Sequence, residues 1–460
     1  MQTEARPAVS LTVDELIARY DVNAPRYTSY PTAAQFTPAV GPDDRARWLS
    51  SLPDGLPVSL YLHIPFCKRL CWYCGCNTRA MNRPALIASY VDLLLVEAER
   101  VAAAAGRRLP VSFLHLGGGT PNMLSPDDLE RLMAGLSSRF DLAEVEEIAA
   151  ELDPEVLTED WIAAAGRVGM TRASLGVQDL SPRVQAAVNR PESFDTIRRA
   201  AEGLRGAGVR SLNLDLMYGL PLQGVEEVLT TLDQIVTLRP DRVALFGYAH
   251  VPWMKPHQKL IDSATLPDAR ARFDQSRAAE RFLVAHGWRV IGLDHFALPH
   301  DALARAADSG RLHRNFQGYT TDRAEALIGL GVSSISRFRQ GYVQNPSQER
   351  DWRAAVEAGG LPATRGVPIT DRDAFLAAII EQMMCDFTVD VEAVARRLGA
   401  DVRDTAFAWP ALDRLEADGL IVQHGARVRI TDAGRPFARV VCAAWDPTVR
   451  PAEGRHARVV

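Results

Sequence analysis

Four of the chain's six cysteines, Cys67, Cys71, Cys74 and Cys76, fall within the ten residues CKRLCWYCGC. The spacings are C-x3-C, C-x2-C and C-x-C. In a chain of 460 residues disulfides would be scattered, so this crowding points to a metal or a cluster. Soft thiolates suit an iron–sulfur cluster or zinc. Zinc usually draws on two separated Cys pairs, or on Cys with His, whereas here one short loop holds everything. Three thiolates on a loop can ligate three irons of a cubane and leave the fourth open. An open iron is what a catalytic cluster needs and a pure electron carrier does not. Cys385 and Cys442 stand alone and read as buried small hydrophobes.

The second signal is LHLGGGTP (114–121). A strand running into glycines lets backbone N–H and C=O groups approach a ligand closely. A phosphate-binding P-loop would need a following Gly-Lys-Ser/Thr, which is missing.

Both signals must be held by a scaffold, and the surrounding text supplies one. VSLYLHI (58–64) reads as a buried strand and feeds the cysteine loop. Strands at 111–119, 146–153, 171–178, 210–221, 242–250 and 288–298 alternate with helices at 85–106, 125–140, 158–168, 193–207, 225–238 and 268–286. This alternation implies βαβ units and a parallel sheet. About six units make an α/β fold with a full or partial (β/α) barrel, its chemistry at the C-terminal ends of the strands. Residues 1–50 read as an irregular arm, 51–360 as the catalytic barrel and 361–460 as a mostly helical domain. GGLPATRGVPIT (359–370) reads as a linker. Helices at 371–386, 390–399 and 404–418 and a hairpin at 419–434 give that last domain a winged-helix-like order. Its reading is a packing domain, because it has no basic recognition helix.

Composition narrows the class. Lys and Arg number 52 against 57 Asp and Glu, for a net charge of −5, so the basic surplus of a nucleic-acid binder is missing. The first residues, MQTEARPAVSLTVDE, lack a basic region followed by an apolar one. No apolar run approaches the ~18 residues of a membrane span. The expectation is a cytoplasmic protein, a monomer, without nucleic-acid or membrane partners.

The cysteine spacing resembles the C-x3-C-x2-C motif of the radical-SAM superfamily, which cleaves S-adenosylmethionine (SAM). The resemblance then narrows to one family, the oxygen-independent coproporphyrinogen III oxidases, and runs the length of the chain. It is carried by RYTSYPTA (26–33), YLHIPFCKRLCWYCGCN (61–77), HLGGGTPN (115–122), ELDP (151–154), LGVQD (175–179), VNR (188–190), DLMYGLP (215–221), FGYAHVPWMKPHQKLI (246–261), GLDHFA (292–297), LHRNFQGYTT (312–321) and GLGVSSIS (329–336). The family converts two propionates of coproporphyrinogen III to vinyl groups without O2, giving protoporphyrinogen IX in haem biosynthesis.

The resemblance implies a partial radical-SAM barrel, a [4Fe–4S] cluster on Cys67, Cys71 and Cys74, and two molecules of SAM. It implies SAM contacts at Tyr61, Tyr73, Gly118, Gly119, Thr120, Glu151, Gln178, Arg190, Asp215, Ala249 and Ile335, with Tyr61, Glu151 and Arg190 in catalysis. Glu151 would accept from the amino group or a ribose hydroxyl of SAM; as a bare strand-end carboxylate it would only form a salt bridge. Arg190 would pair with a carboxylate, and Ile335 would shape the pocket. Cys76 stays outside the ligand set. His63, His250, His295 and His313 read as satisfied core residues. Arg26, Lys255 and Arg314 are candidates for the substrate's four carboxylates. A reductant protein such as flavodoxin or ferredoxin would supply electrons. The rival readings are a haem-trafficking relative without decarboxylase activity and a zinc-stabilised binding module. The former lacks the RYTSYP arm, the C-x-C at 74–76 and LHRNFQGYTT; the latter has no use for GGGTP.

Overall fold

A computed structural model describes residues 11–449 and 458–459; the outer parts of the arm (1–10) and of the last domain (450–457 and 460) lie outside the described residues. Six parallel strands form the centre: Val58–Ile64, Val111–Gly118, Glu147–Leu152, Arg172–Gln178, Ser211–Tyr218 and Arg242–Gly247. They stand side by side in chain order, as consecutive βαβ units usually do. Each alternates with period two. In SLNLDLMY, Leu212, Leu214 and Leu216 are buried against the helical layer, whereas Asn213 and Asp215 face inward. Glu147, Glu151, Arg172 and Ser174 also face the interior, where a packed barrel would carry branched apolar residues. The interior is instead a polar cavity of about 840 Å³.

The sheet has twelve strands and is open at both ends. On one side His295–Ala297 and Arg289–Ile291 add antiparallel strands, so the single strand expected over 288–298 is two, broken at Gly292, whose φ is +57°. On the other side Ala326–Leu330 runs parallel to the first strand and continues through Ile335–Phe338, Gly341–Gln344 and Arg365–Pro368. The stretch read as a linker thus contains a strand. Its Gly366 abuts the Tyr342 carbonyl, where a Cβ would come within 2.1 Å.

The arm is also more regular than expected. Thr12 caps the helix Val13–Tyr20 with Glu15 in a capping box, and Pro42 opens the helix Pro42–Ser50. Leu16, Ile17, Tyr27 and Tyr30 join the core of the C-terminal helices, while Trp48 and Leu49 join the barrel core. Fully buried Arg45 ties the second arm helix down. It donates to Glu97 (2.9 Å), Asn345 Oδ1 and the carbonyls of Gly329 and Pro362. The C-terminal helices Asp371–Asp386, Val391–Leu398 and Trp409–Ala417 precede a hairpin, Ile421–His424 with Arg427–Ile430. Among the described residues no helix is long and apolar enough to cross a membrane.

Candidate active site

The cysteine loop leaves the first strand at its C-terminal end. Phe66–Cys67 pairs with Arg79–Ala80, closing the loop at its base. Lys255 Nζ, His257 Nε2 and Gln258 Nε2 donate to the carbonyls of Cys76, Cys74 and Tyr73 at 3.0, 2.7 and 3.0 Å. A second segment thereby fixes the loop's shape. Gln258 Nε2 also donates to the Ala249 carbonyl at 3.1 Å, which joins Ala249 to the loop without placing it on the cavity wall.

Cys67, Cys71, Cys74, Tyr73, Gly118, Gly119, Thr120, Glu151, Gln178, Arg190 and Asp215 line one cavity of about 730 Å³, a volume suited to a small-molecule site. Cys76 lines it too. Glu151, Ser174 and Asp215 also line the polar interior cavity, which Tyr61 faces, so the two spaces share a wall. Ile335 lines neither. It lies beyond Gly329, which is in register with Tyr61.

Each thiol has a distinct environment. Cys67 Sγ lies 3.0 Å from Thr78 Oγ1 and 3.4 Å from Thr120 Oγ1, and burial pushes its pKa up. Cys71 Sγ accepts from Arg190 Nη1 at 3.5 Å. The Cys74 thiol is brought down to about 7, chiefly by the hydrogen bond from Cys76, against the opposing effect of burial. Among the described residues no three Cys, His, Asp or Glu side chains converge on a single metal ion; the thiols are spaced around a cavity.

The glycines are required by contact. Gly118 has φ +112°, and a Cβ there would lie 2.6 Å from His63 Cε1. At Gly119 a Cβ would fall 2.5 Å from Thr78 Oγ1 and 2.7 Å from the Phe66 carbonyl. His63 Nε2 faces the Asn77 carbonyl at 2.8 Å, so it carries the proton, and Nδ1 accepts from Tyr61 OH at 3.1 Å. Burial lowers the His63 pKa. The imidazole is neutral, in keeping with a satisfied core residue.

Glu151 accepts from Gly118 N (3.0 Å) and pairs with His115 Nε2 (3.2 Å). Burial pushes its pKa up, but His115 and the Gly118 N–H outweigh this and hold it below the usual range. Asp215 moves the other way: burial raises it, although Ser174 and Asn213 each donate to it at 2.7 Å. Arg190 donates to the Gly176 carbonyl (2.6 Å) and pairs with Asp153 (3.2 Å), yet its buried Nε has no partner. An unsatisfied buried guanidinium N–H calls for an acceptor.

The donor set therefore fits the implied cofactors. Three soft thiols suit iron. The Gly118–Gly119 backbone, the Glu151 anion and the spare Arg190 donor suit an amino acid that carries both an ammonium and a carboxylate. Sequence reasoning missed His115, Thr78, Asp153 and His257. His115, Asp153 and His257 sat in the quoted phrases HLGGGTPN, ELDP and FGYAHVPWMKPHQKLI, but their roles needed contacts between distant segments.

Comparison with known proteins follows the same lines. Residues 61–235 match the Radical SAM superfamily and residues 369–437 match the HemN C-terminal domain. The oxygen-independent coproporphyrinogen III oxidase of Bradyrhizobium diazoefficiens is 43% identical over 450 residues, covering 98% of this chain and 100% of that protein. The Pseudomonas aeruginosa protein of that name is 40% identical over 94% of this chain and 95% of its own. Among solved structures, the Escherichia coli coproporphyrinogen III oxidase HemN, described as a radical SAM enzyme, superposes with a TM-score of 0.88. Its sequence is 35% identical, and the match covers 93% of this chain and 100% of that one.

Proposed function

Since this chain belongs to the oxygen-independent coproporphyrinogen III oxidase family of radical SAM proteins, we propose that it decarboxylates two propionates of coproporphyrinogen III anaerobically, giving the vinyl groups of protoporphyrinogen IX in haem biosynthesis. The observation that carries this reading is one shared wall: Glu151, Ser174 and Asp215 separate a thiol- and glycine-lined cavity from a polar chamber inside the barrel.

When bound, the [4Fe–4S] cluster and SAM supply a 5′-deoxyadenosyl radical, the strong hydrogen abstractor that an unactivated propionate carbon requires. Cys67, Cys71 and Cys74 would hold the iron, with Thr78 and Thr120 fixing Cys67 and the Arg190 cation facing Cys71. Arg190, oriented by Asp153, offers its free Nε to a carboxylate. Glu151 stays ionised and accepts from an ammonium or a hydroxyl. Tyr73 and Thr120, with the backbone of Gly118 and Gly119, form the walls on the cluster side. Gln178, at φ +68°, is held in a strained turn at a strand end, a conformation that clusters at functional sites. Tyr61 lines the interior chamber, and its hydroxyl is directed by His63.

Two SAM molecules suit two propionates. A one-electron reductant protein such as flavodoxin or ferredoxin would dock near Cys76. Trp253, Met254 and Leu260 are 61%, 58% and 59% exposed on the segment that bonds the cysteine loop, which supports a docking role there. The proposed organisation is an arm over 1–50, a barrel over 51–360 and a helical domain over 361–460, in a monomeric, cytoplasmic protein. The test is an anaerobic assay with coproporphyrinogen III, SAM and dithionite. Release of CO2 and vinyl products is expected. SAM cleavage without any porphyrin product would favour the haem-trafficking reading.

A further inference from the structure

A third cavity, of about 810 Å³, opens beside the barrel rim, between the end of the sixth strand, the helix Ala269–Ala285 and the C-terminal region. Seven arginines and one acid, Asp294, are among the described residues that line it. Several of the arginines are neutralised locally: Arg277 by Glu280, Arg435 by Asp432 and Arg458 by Asp21. Among the described lining residues, Asp294 is the carboxylate that faces Arg26 and Arg314, and Arg272 has no carboxylate partner there. That carboxylate is engaged with His295 Nδ1 at 2.7 Å and reaches Arg314 Nη1 only at 3.9 Å.

Arg314 is the anomaly. Its side chain is 6% exposed, and neither Nε nor Nη1 has a hydrogen-bond partner. Its guanidinium lies 4.4 Å from the centre of the Tyr319 ring, which fixes its plane. Arg272 donates from Nη1 to the Tyr248 carbonyl at 2.8 Å, but its buried Nε is also unpartnered. Arg26 Nη2 donates to the Gly247 carbonyl at 3.0 Å. Burial, and then repulsion from Arg314 and Arg272, pull the Arg26 pKa down against the attraction of Asp294. Buried guanidinium groups with spare N–H donors and too little counter-charge are costly unless an anion completes them.

We propose that this cavity is an oxyanion site that takes a carboxylate, held by Arg314 and Arg272 with Arg26 closing from the arm. The planar fork of Arg matches a carboxylate through two parallel hydrogen bonds. Two sources share that chemistry: an unreacted propionate of the substrate, or a free oxyanion. The first rests on the function proposed above, in which two of four carboxylates survive and need holding. The site lies at the rim where this would serve. Tyr218 follows Asp215 by three residues on one strand, about 10 Å at ~3.3 Å per residue, and Gly247 and Tyr248 immediately precede Ala249. Lys255, also a candidate, is turned away to the Cys76 carbonyl.

The test uses the reconstituted full chain and the unreactive tetracarboxylate coproporphyrin III, followed by fluorescence, with the dicarboxylate mesoporphyrin and inorganic phosphate as comparison probes. If the substrate is the source, Arg314→Gln weakens coproporphyrin binding about tenfold to a hundredfold, Arg314→Lys recovers part of the loss, and mesoporphyrin is affected less. If a free oxyanion is the source, phosphate binds the wild type, Arg314→Gln abolishes that binding, and coproporphyrin affinity is unchanged. Iron content and near-ultraviolet circular dichroism report the fold, and Arg272→Gln serves should Arg314→Gln not fold. Loss of neither ligand in a folded variant overturns the site. A wild type that binds these anions but makes no vinyl product overturns the function and leaves the site standing.

Discussion

Replacing Gly119 with alanine adds one methyl group where the chain has no room. An ideal Cβ would lie 2.5 Å from Thr78 Oγ1, 2.7 Å from Phe66 O and 2.9 Å from Phe66 N. Two of these three atoms are main chain, and they belong to the short strand that carries Cys67. Gly119 cannot retreat either, because its N–H donates to the Ile64 carbonyl at 2.8 Å. Overpacking costs ~1–3 kcal/mol, and contact with fixed backbone puts this case at the upper end, about 3 kcal/mol. Spent on the loop geometry, that is about a hundredfold in cofactor affinity. Gly135→Ala is the control. Its Cβ would lie 2.4 Å from Leu95 Cδ2, the end of a flexible side chain, and it sits inside a helix, where alanine gains ~1 kcal/mol over glycine. The assay is iron and sulfide content after anaerobic reconstitution, SAM affinity by equilibrium dialysis, and unfolding free energy in denaturant. If Gly119→Ala matched wild type in all three, to within about 0.5 kcal/mol, the close-packed cradle would be refuted.

Other perturbations test other parts. Cys71→Ser is expected to abolish cluster assembly and 5′-deoxyadenosine formation; retained SAM cleavage would show that the ligand set is wrong. Glu151→Gln removes an anion that accepts from Gly118 N and His115, and a hydrogen bond to a charged group contributes ~1.5–3 kcal/mol, so SAM affinity should fall at least tenfold at unchanged iron content. Equal affinity would remove Glu151 from the binding set. Asp179 is 2% exposed, and burial raises its pKa to about 6 although Gln223 and Ser181 donate to it. The folded protein therefore binds this proton more tightly than the unfolded chain, whose pKa is ~4. The resulting stability is present below pH ~4 and is lost as pH rises to about 6. Asp179→Asn removes the effect, so its stability relative to wild type should improve by about 2 kcal/mol between pH 4 and 7. Parallel stability curves would contradict it.

The barrel was legible because period-two strands and capped helices alternate with little interruption. The first strand, Val58–Ile64, falls where VSLYLHI put it, and Ser125 caps Pro126–Arg139 as its Ser-Pro-Asp-Asp start suggests. The antiparallel extensions were hidden. Arg365–Pro368 contains Gly and Pro, which read as a linker, and it is a strand only because Gly341–Gln344 offers it an edge. The arm's helix Val13–Tyr20 is likewise held from outside, packed on the C-terminal helices. At the site, the cysteine loop and glycine turn announced themselves by spacing. The pairing of Glu151 with His115 and of Arg190 with Asp153, and the buried donors of Arg314, depend on residues brought together across strands. No local pattern encodes such contacts.

The proposed reaction begins with hydrogen abstraction from a substrate propionate. It is tested most directly with coproporphyrinogen III deuterated at the propionate β-carbons, turned over anaerobically with SAM. One deuterium is expected in each 5′-deoxyadenosine, with one molecule formed per vinyl group. Unlabelled 5′-deoxyadenosine accompanying vinyl product would contradict it.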